Sequence, residues 1–367
     1  MARGRVVSPG AAQHDDRSSA LADRPLAGRW KSAGRPARGR IQPMIRGASR
    51  RVRFCGFALC ALVFGGCTSV VPAGTAATIT LPGAPTAIAV DSETRTAWIG
   101  FDRSVSVVDT ADRSVLASIA LDGVPIAIAI GLGRVFITYA DSDNIAVLDL
   151  HDRSVRATVA VGRDPGGLAV DPVTSTVWVV NTMADTVSVI DVDSASVVAT
   201  ILVGTRPRGI GIDTRARVAY VANYGGSLSV VNADTRAVTS TIPVDESPMD
   251  LVVSTEGHAA CYSTYSDLPP NDNTKVHCVD STSNARIAGI DVGHVVGALA
   301  FDGTGRTVYV ADRGGGNRVS VVDLSTGTVT KRLDVGAKPI AIAVDSASGA
   351  TYVVKNGTDM VSVLDPQ

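Results

Sequence analysis

Seven copies of one short pattern run through this chain, and nothing else in the sequence limits its fold as strongly. The clearest copy spans residues 161–199, VGRDPGGLAVDPVTSTVWVVNTMADTVSVIDVDSASVVA. A turn signal, Gly162 and Pro165, leads into the apolar run Gly167–Val170. A second turn carries Asp171 and Pro172, and the alternating β-rich run Thr176–Asn181 follows. After a polar loop comes a second alternating run, Thr186–Asp191, and a fourth apolar run starts at Val197. A four-stranded unit of about 40–45 residues, repeated in tandem, predicts the blades of a β-propeller.

The other copies align on their third strands. These end at Asp109, Asp149, Asp191, Asn232, Asp280, Asp323 and Asp365, after VSVV, IAVL, VSVI, LSVV, VHCV, VSVV and VSVL. The first strands, such as AIAVD and GIGID, end at Asp91, Gly131, Asp171, Asp213, Ser254, Asp302 and Asp345. The second strands place Trp98, Phe136, Trp178, Tyr220, Cys261, Tyr309 and Tyr352 at one position. Turns Gly83/Pro85, Gly123/Pro125, Gly162/Pro165, Gly204/Pro207 and Gly336/Pro339 precede five first strands. The fifth copy keeps only Pro248 and the sixth only Gly293.

This pattern resembles the YVTN family of β-propeller repeats, also seen in YncE-like proteins. Tyr220-Val221-Ala222-Asn223 nearly spells the motif, and the match covers residues 77–367. The resemblance implies an all-β, seven-bladed propeller of four-stranded antiparallel blades. It implies no particular chemistry, since such folds host many roles. The seventh copy ends soon after its third strand, whereas Ala77–Leu81 (ATITL) precedes the first copy with no blade of its own. Ala77–Leu81 is therefore expected to complete the last blade and remove an open sheet edge.

The front of the chain differs in charge. Residues 1–66 carry 13 Lys/Arg against 3 Asp/Glu, a net of +10, which leaves −11 for the rest of a chain whose total is −1. An acidic body is a poor binder of phosphate backbones, so nucleic acid is not an expected partner. Residues 1–43 lack apolar periodicity and are expected to be a disordered leader or a mis-assigned start. Residues 44–66 look like a signal peptide: Arg46, Arg50, Arg51 and Arg53 precede the uncharged run Phe54–Gly66. That run is too short for a spanning helix, which needs about 20 residues. It ends Leu62-Val63-Phe64-Gly65-Gly66-Cys67, which resembles a bacterial lipobox with Cys67 as the lipidated residue. Phe64 departs from the usual aliphatic residue, and plain secretion is the alternative. Residues 67–76 form a tether of roughly 30 Å at ~3.5 Å per residue. The expected address is the outer face of the cytoplasmic membrane or the cell envelope.

Cys261 and Cys278 lie on neighbouring strands of the fifth copy. Export favours a disulfide between them. Two free thiols or a redox pair are the alternatives, though no CxxC spacing supports the latter. His151, His258, His277 and His294 occupy non-equivalent positions, which argues against a zinc site. His294 stands out because it lies in a pre-strand turn. The third-strand Asp residues suit turns, where carboxylates bond nearby amides. Asp141–Asn144 lacks the Gly and Glu of a calcium loop, and Arg313–Gly316 is no phosphate cradle. No nucleophile motif is present.

In a propeller the pre-first-strand turns and the loops between second and third strands share one face. The turns offer Arg163, Asp164, Arg206, Arg208, Asp245, Glu246, Asp250, His294 and Lys338. The loops offer Asp102, Tyr139, Asp141, Asn181, Asn223, Tyr224, Asp312, Arg313 and Lys355. Ligand-binding candidates among them are Arg163, Arg206, Arg208, Asn181, Asn223, Tyr224, His294, Asp312, Arg313, Lys338 and Lys355. Loops that vary on a constant frame are how such folds acquire specificity. The expected role is a lipid-anchored, monomeric binding scaffold for an envelope protein, peptide or small ligand, with no catalytic residues, metal or cofactor. The competing expectation is an enzyme similar to propeller lactonases or streptogramin lyases, with its site at the channel mouth. A subunit of a quinoprotein-type redox system is a third, unsupported by any haem motif or Trp-rich stack.

Overall fold

Six copies of the pattern each form one four-stranded antiparallel sheet, the seventh forms another with Ala77–Thr80, and the seven sheets make the propeller. The computed structural model describes residues 77–244, 246–265, 274–314, 316–336 and 338–366. The leader, the signal-peptide stretch, Cys67 and the tether lie outside them. The inner strands are Pro85–Asp91, Pro125–Gly131, Pro165–Asp171, Pro207–Asp213, Ser247–Ser254, Val296–Phe301 and Pro339–Val344. Each touches the inner strands before and after it, and the last touches the first. That cycle is the ring around the channel.

Burial follows position in the blade. Second strands such as Thr96–Phe101 and Thr176–Asn181 are buried at every residue, while the outer strand Val115–Ala120 is mostly exposed. The core lies between blades. Trp98, Val105 and Val107 of blade 1 pack against Val135, Ile137 and Leu148 of blade 2. Full burial of each such side chain contributes about 1.5–3 kcal/mol. Trp98 and Trp178 are wholly buried, and each indole N–H donates to a threonine hydroxyl two residues back, at 3.2 and 3.0 Å. The bulky second-strand position is therefore an aromatic filler: the tryptophans satisfy their polar atom within their own blade, whereas the Tyr220 and Tyr352 hydroxyls bond to Asn284 and Thr110 of the next one.

The inner strands start earlier than their apolar runs suggest. Pro165 already pairs with Asn181, and a bulge separates it from Leu168. The same shift recurs after Pro85, Pro125, Pro207 and Pro339. Proline has no N–H to give, so it is tolerated where a bulge interrupts the ladder.

The turn carboxylates act as expected. Asp149 accepts from the His151 amide at 2.9 Å, and Asp280 from the Ser283 amide at 2.8 Å. At the same end of the sheet, the first-strand residue Asp171 accepts two bonds at 2.9 Å from Arg217 of the next blade. His258 occupies the same place before its second strand and reaches Asp213 of the preceding blade at 3.3 Å. That histidine is an inter-blade contact.

Closure follows the sequence expectation. Ala77–Thr80 pairs with the last strand, from Ala77 opposite Val363 to Thr80 opposite Met360. Ile79 is buried in a cluster shared by blades 7 and 1. The Ser92 hydroxyl donates to Asp345 at 2.6 Å across the same seam. In blade 5, Cys261 and Cys278 are register partners joined by a disulfide, with Cα atoms 4.1 Å apart. The bond stands where other blades carry an aromatic ring.

Three outcomes follow from these contacts. Ile79→Ala should cost about 2–4 kcal/mol in urea unfolding, since it hollows the seam. Converting both Cys261 and Cys278 to Ser, which are 17 residues apart, should cost about 3 kcal/mol by the same measurement. Backbone amides of His151 and Asp152 hold the Asp149 carboxyl at about 2, and the Thr282 hydroxyl with the Ser283 amide does the same for Asp280. Both sit below the usual carboxylate value of about 3.9. Their contribution is complete above pH ~4 and disappears as the pH falls towards 2. The urea midpoint should therefore drop across that window, and Asp149→Asn should flatten part of the drop.

Candidate functional site

The strand register builds the variable face. Pro165 lies opposite Asn181, Pro207 opposite Asn223, Val296 opposite Asp312 and Pro339 opposite Lys355. Pre-strand turns and second-to-third loops therefore share one end of the ring. Asn181, Asn223, Asp312 and Lys355 also turn out to be a single repeat position, the last residue of the second strand. Phe101, Tyr139 and Thr264 fill it in the other blades.

That position is covered by the preceding turn. A Cβ on Gly162 would lie 2.6 Å from the Asn181 side chain, so only glycine allows the turn to close over it. Asn181 is fully buried, accepts from the Gly162 amide at 3.0 Å and donates to Thr186 and Ser188 at 3.0 and 2.9 Å. Asn223 is buried too and donates to Ser227 and Ser229 at 3.1 and 2.9 Å. These amides lock a turn to a hairpin. Lys355 is also buried, beneath Gly336.

A second repeat position points outward. Asp164, Arg206 and Lys338 all have positive φ, at 55°, 54° and 39°. Each donates its amide to a side-chain oxygen of the preceding blade: Asp143 at 3.0 Å, Asp185 at 2.7 Å and Asn317 at 3.3 Å. Each carbonyl accepts from the loop of its own blade, at Thr182, Tyr224 and Asn356. The two bonds fix the backbone and leave the side chain free to vary. This is the scaffold on which Arg206 and Lys338 are displayed.

At blades 4 and 5 the candidates converge. The Arg206 guanidinium lies 5.0 Å from the centre of the Tyr224 ring, and that of Arg208 lies 5.9 Å from it. Tyr265 of blade 5 approaches the same ring, with centroids 6.4 Å apart. Among the described residues neither arginine pairs with a carboxylate, and the Arg208 Nε is buried without a hydrogen-bond partner. Nearby, the Thr264 hydroxyl donates to Glu246. Asp250 accepts from the Leu299 amide at 2.8 Å, clasping blade 5 to blade 6, and burial pushes its carboxyl above the usual range. Asp245 lies outside the described residues.

Blade 6 contributes a different pair. His294 Nδ1 lies 3.5 Å from Oδ2 of buried Asp312, whose other oxygen accepts from the Gly314 amide at 2.9 Å. His294 Nε2 is buried with no hydrogen-bond partner among the described residues. Arg313 beside it is exposed. Arg163 lines a shallow hollow with Asp141, Ser142, Asp143, Asp164 and Met183, apart from the blade 4 cluster. There Asp141 is bonded to Arg103 at 2.8 Å and Asp143 to the Asp164 amide, so those carboxylates already have partners. Among the described residues no three His, Cys, Asp or Glu side chains are grouped to hold a metal ion.

Tyr265 is the member of the cluster that the sequence did not single out. Its signal was positional: it follows Thr264, the blade 5 counterpart of Asn223, and so matches Tyr224 of blade 4.

No family model matches the chain, and no curated protein matches it. Among many matches to solved structures is Kuenenia stuttgartiensis hydrazine synthase, with a TM-score of 0.70 and 19% identity. The alignment covers 78% of this chain and 96% of that one. At that identity the similarity is one of fold.

The two repeat positions should separate in a stability assay. Asn223→Ala removes buried hydrogen bonds and should cost about 1–3 kcal/mol in urea unfolding. Tyr224→Ala removes a half-buried ring from the rim and should cost less than about 1 kcal/mol.

Proposed function

We propose that the protein is a cell-envelope lipoprotein of the YVTN type, anchored through Cys67, whose variable face is a binding platform for a protein, peptide or small ligand. One observation carries the reading. Arg206, Arg208, Tyr224 and Tyr265 gather on that face from two blades, and both guanidiniums lack carboxylate partners among the described residues. Arginine and tyrosine are, with tryptophan, the side chains enriched at binding hot spots. The basic stretch, the apolar run and LVFGGC supply the address.

The Asp312–His294 pair supports a second reading, an enzyme with its site at the mouth of the channel. A carboxylate beside one imidazole nitrogen orients the ring, which suits a general base. Under this reading, turnover of a lactone panel would be lost in His294→Gln while binding at Tyr224 stayed intact.

The platform and the address are tested separately. Mass spectrometry of the wild-type protein should show a diacylglyceryl group on Cys67. Cys67→Ala should lose it and move the protein out of the membrane fraction. Wild-type protein without the lipid would refute the address. A photo-crosslinking residue at position 224 should capture one defined envelope component in cells, and the same residue at position 304, on the opposite face, should not. Equal capture at both positions would refute the platform.

A further inference from the structure

The geometry points to an oxyanion, a carboxylate or a phosphate group on a small molecule, as the ligand chemistry of the Arg206–Arg208–Tyr224 cluster. This inference rests on the platform reading above and names what the platform takes.

Pairing is the first argument. Residues 67–367 hold 21 Lys/Arg and 32 Asp/Glu, so a guanidinium there has carboxylates in excess. Arg103, Arg134, Arg156, Arg215 and Arg217 all pair with one. Arg206 and Arg208 share one tyrosine ring instead. Cation–π attraction holds each beside the ring, but two like charges around one ring repel. A bound oxyanion converts that repulsion into two charge-assisted contacts, and the guanidinium fork suits carboxylate and phosphate.

Rigidity is the second. Arg206 is fixed on both sides, by Asp185 at its amide and by the Tyr224 amide at its carbonyl, 2.7 and 3.0 Å away. Arg208 sits on an inner strand, and a Cβ on Gly167 of the neighbouring blade would lie 2.8 Å from its carbonyl oxygen. The glycine thus permits a close strand contact that leaves the Arg208 backbone no room to shift. Two arginines on a fixed backbone, each beside the same ring, have less freedom left to lose on binding.

Desolvation is the third. Arg208 Nε is buried and has no hydrogen-bond partner among the described residues, a donor stripped of water and unsatisfied there. Leaving such a donor unmade is costly, and an acceptor at the cluster would relieve it.

The test uses full-length protein in detergent. Binding of citrate and of inorganic phosphate is measured by calorimetry and thermal shift, against chloride at matched ionic strength. The expected result is saturable binding of at least one oxyanion, weakened about tenfold or more by Arg206→Met and by Arg208→Met. Arg306→Met, an exposed arginine on the opposite face, should leave it unchanged. Tighter citrate binding assigns a carboxylate and tighter phosphate binding a phosphate. Should Arg208→Met not fold, Arg208→Lys keeps the charge without the fork and should still weaken binding, and Arg206→Met stands alone. No binding beyond chloride, or binding indifferent to both arginines, overturns the inference. Crosslinking at position 224 in the absence of oxyanion binding would keep the platform and reject only its oxyanion.

Discussion

Every blade of this protein depends on one pairing, that of Ala77–Thr80 with the final strand. Six blades take their four strands from consecutive sequence, but the seventh takes its outer strand from the other end of the body. The inner strands touch in a cycle, so each blade packs between two others only when the cycle is complete. Without the outer strand, Met360–Leu364 becomes an unpaired edge and the Ile79 cluster loses part of its wall. The Ser92–Asp345 bond and the Tyr352 hydroxyl donating to the Thr110 carbonyl reinforce the same seam.

The frame was legible because its rules are local. Alternation, a bulky second-strand residue and a turn-capping carboxylate each leave a mark at a fixed repeat position. Trp98, Trp178, Asp149 and Asp280 could be assigned from one copy and checked in the others. The closing strand was legible for a related reason, since a count of strands left one too few at one end and one spare at the other. The early start of the inner strands was not. Proline reads as a turn residue, and only the bulge after Pro165 shows how it can stand in a ladder.

The face was legible as a location and not as a site. Asn181, Asn223, Asp312 and Lys355 look like ligand residues because they are polar and differ between blades. The structure places all four under the preceding turn, where a variable residue must match whatever covers it. The outward position at Asp164, Arg206 and Lys338 is the reverse case. Its left-handed backbone is held by bonds from two blades, a relation that a single strand of sequence does not display. Covered and displayed positions alternate around the rim, and composition alone cannot separate them. Tyr265 went unnoticed because its match to Tyr224 shows only once Pro248 and Thr264 are set against Pro207 and Asn223.

The closing strand also has a mechanical meaning. Any load carried along the chain from residue 76 enters the ring at Ala77, on a strand that four residue pairs tie to the last blade. A pull along the strand stresses those pairs together, whereas a pull away from the sheet opens them one at a time. The ring is thus strong in one direction of tension and weak in another, and its point of first failure is the joint that makes it a ring.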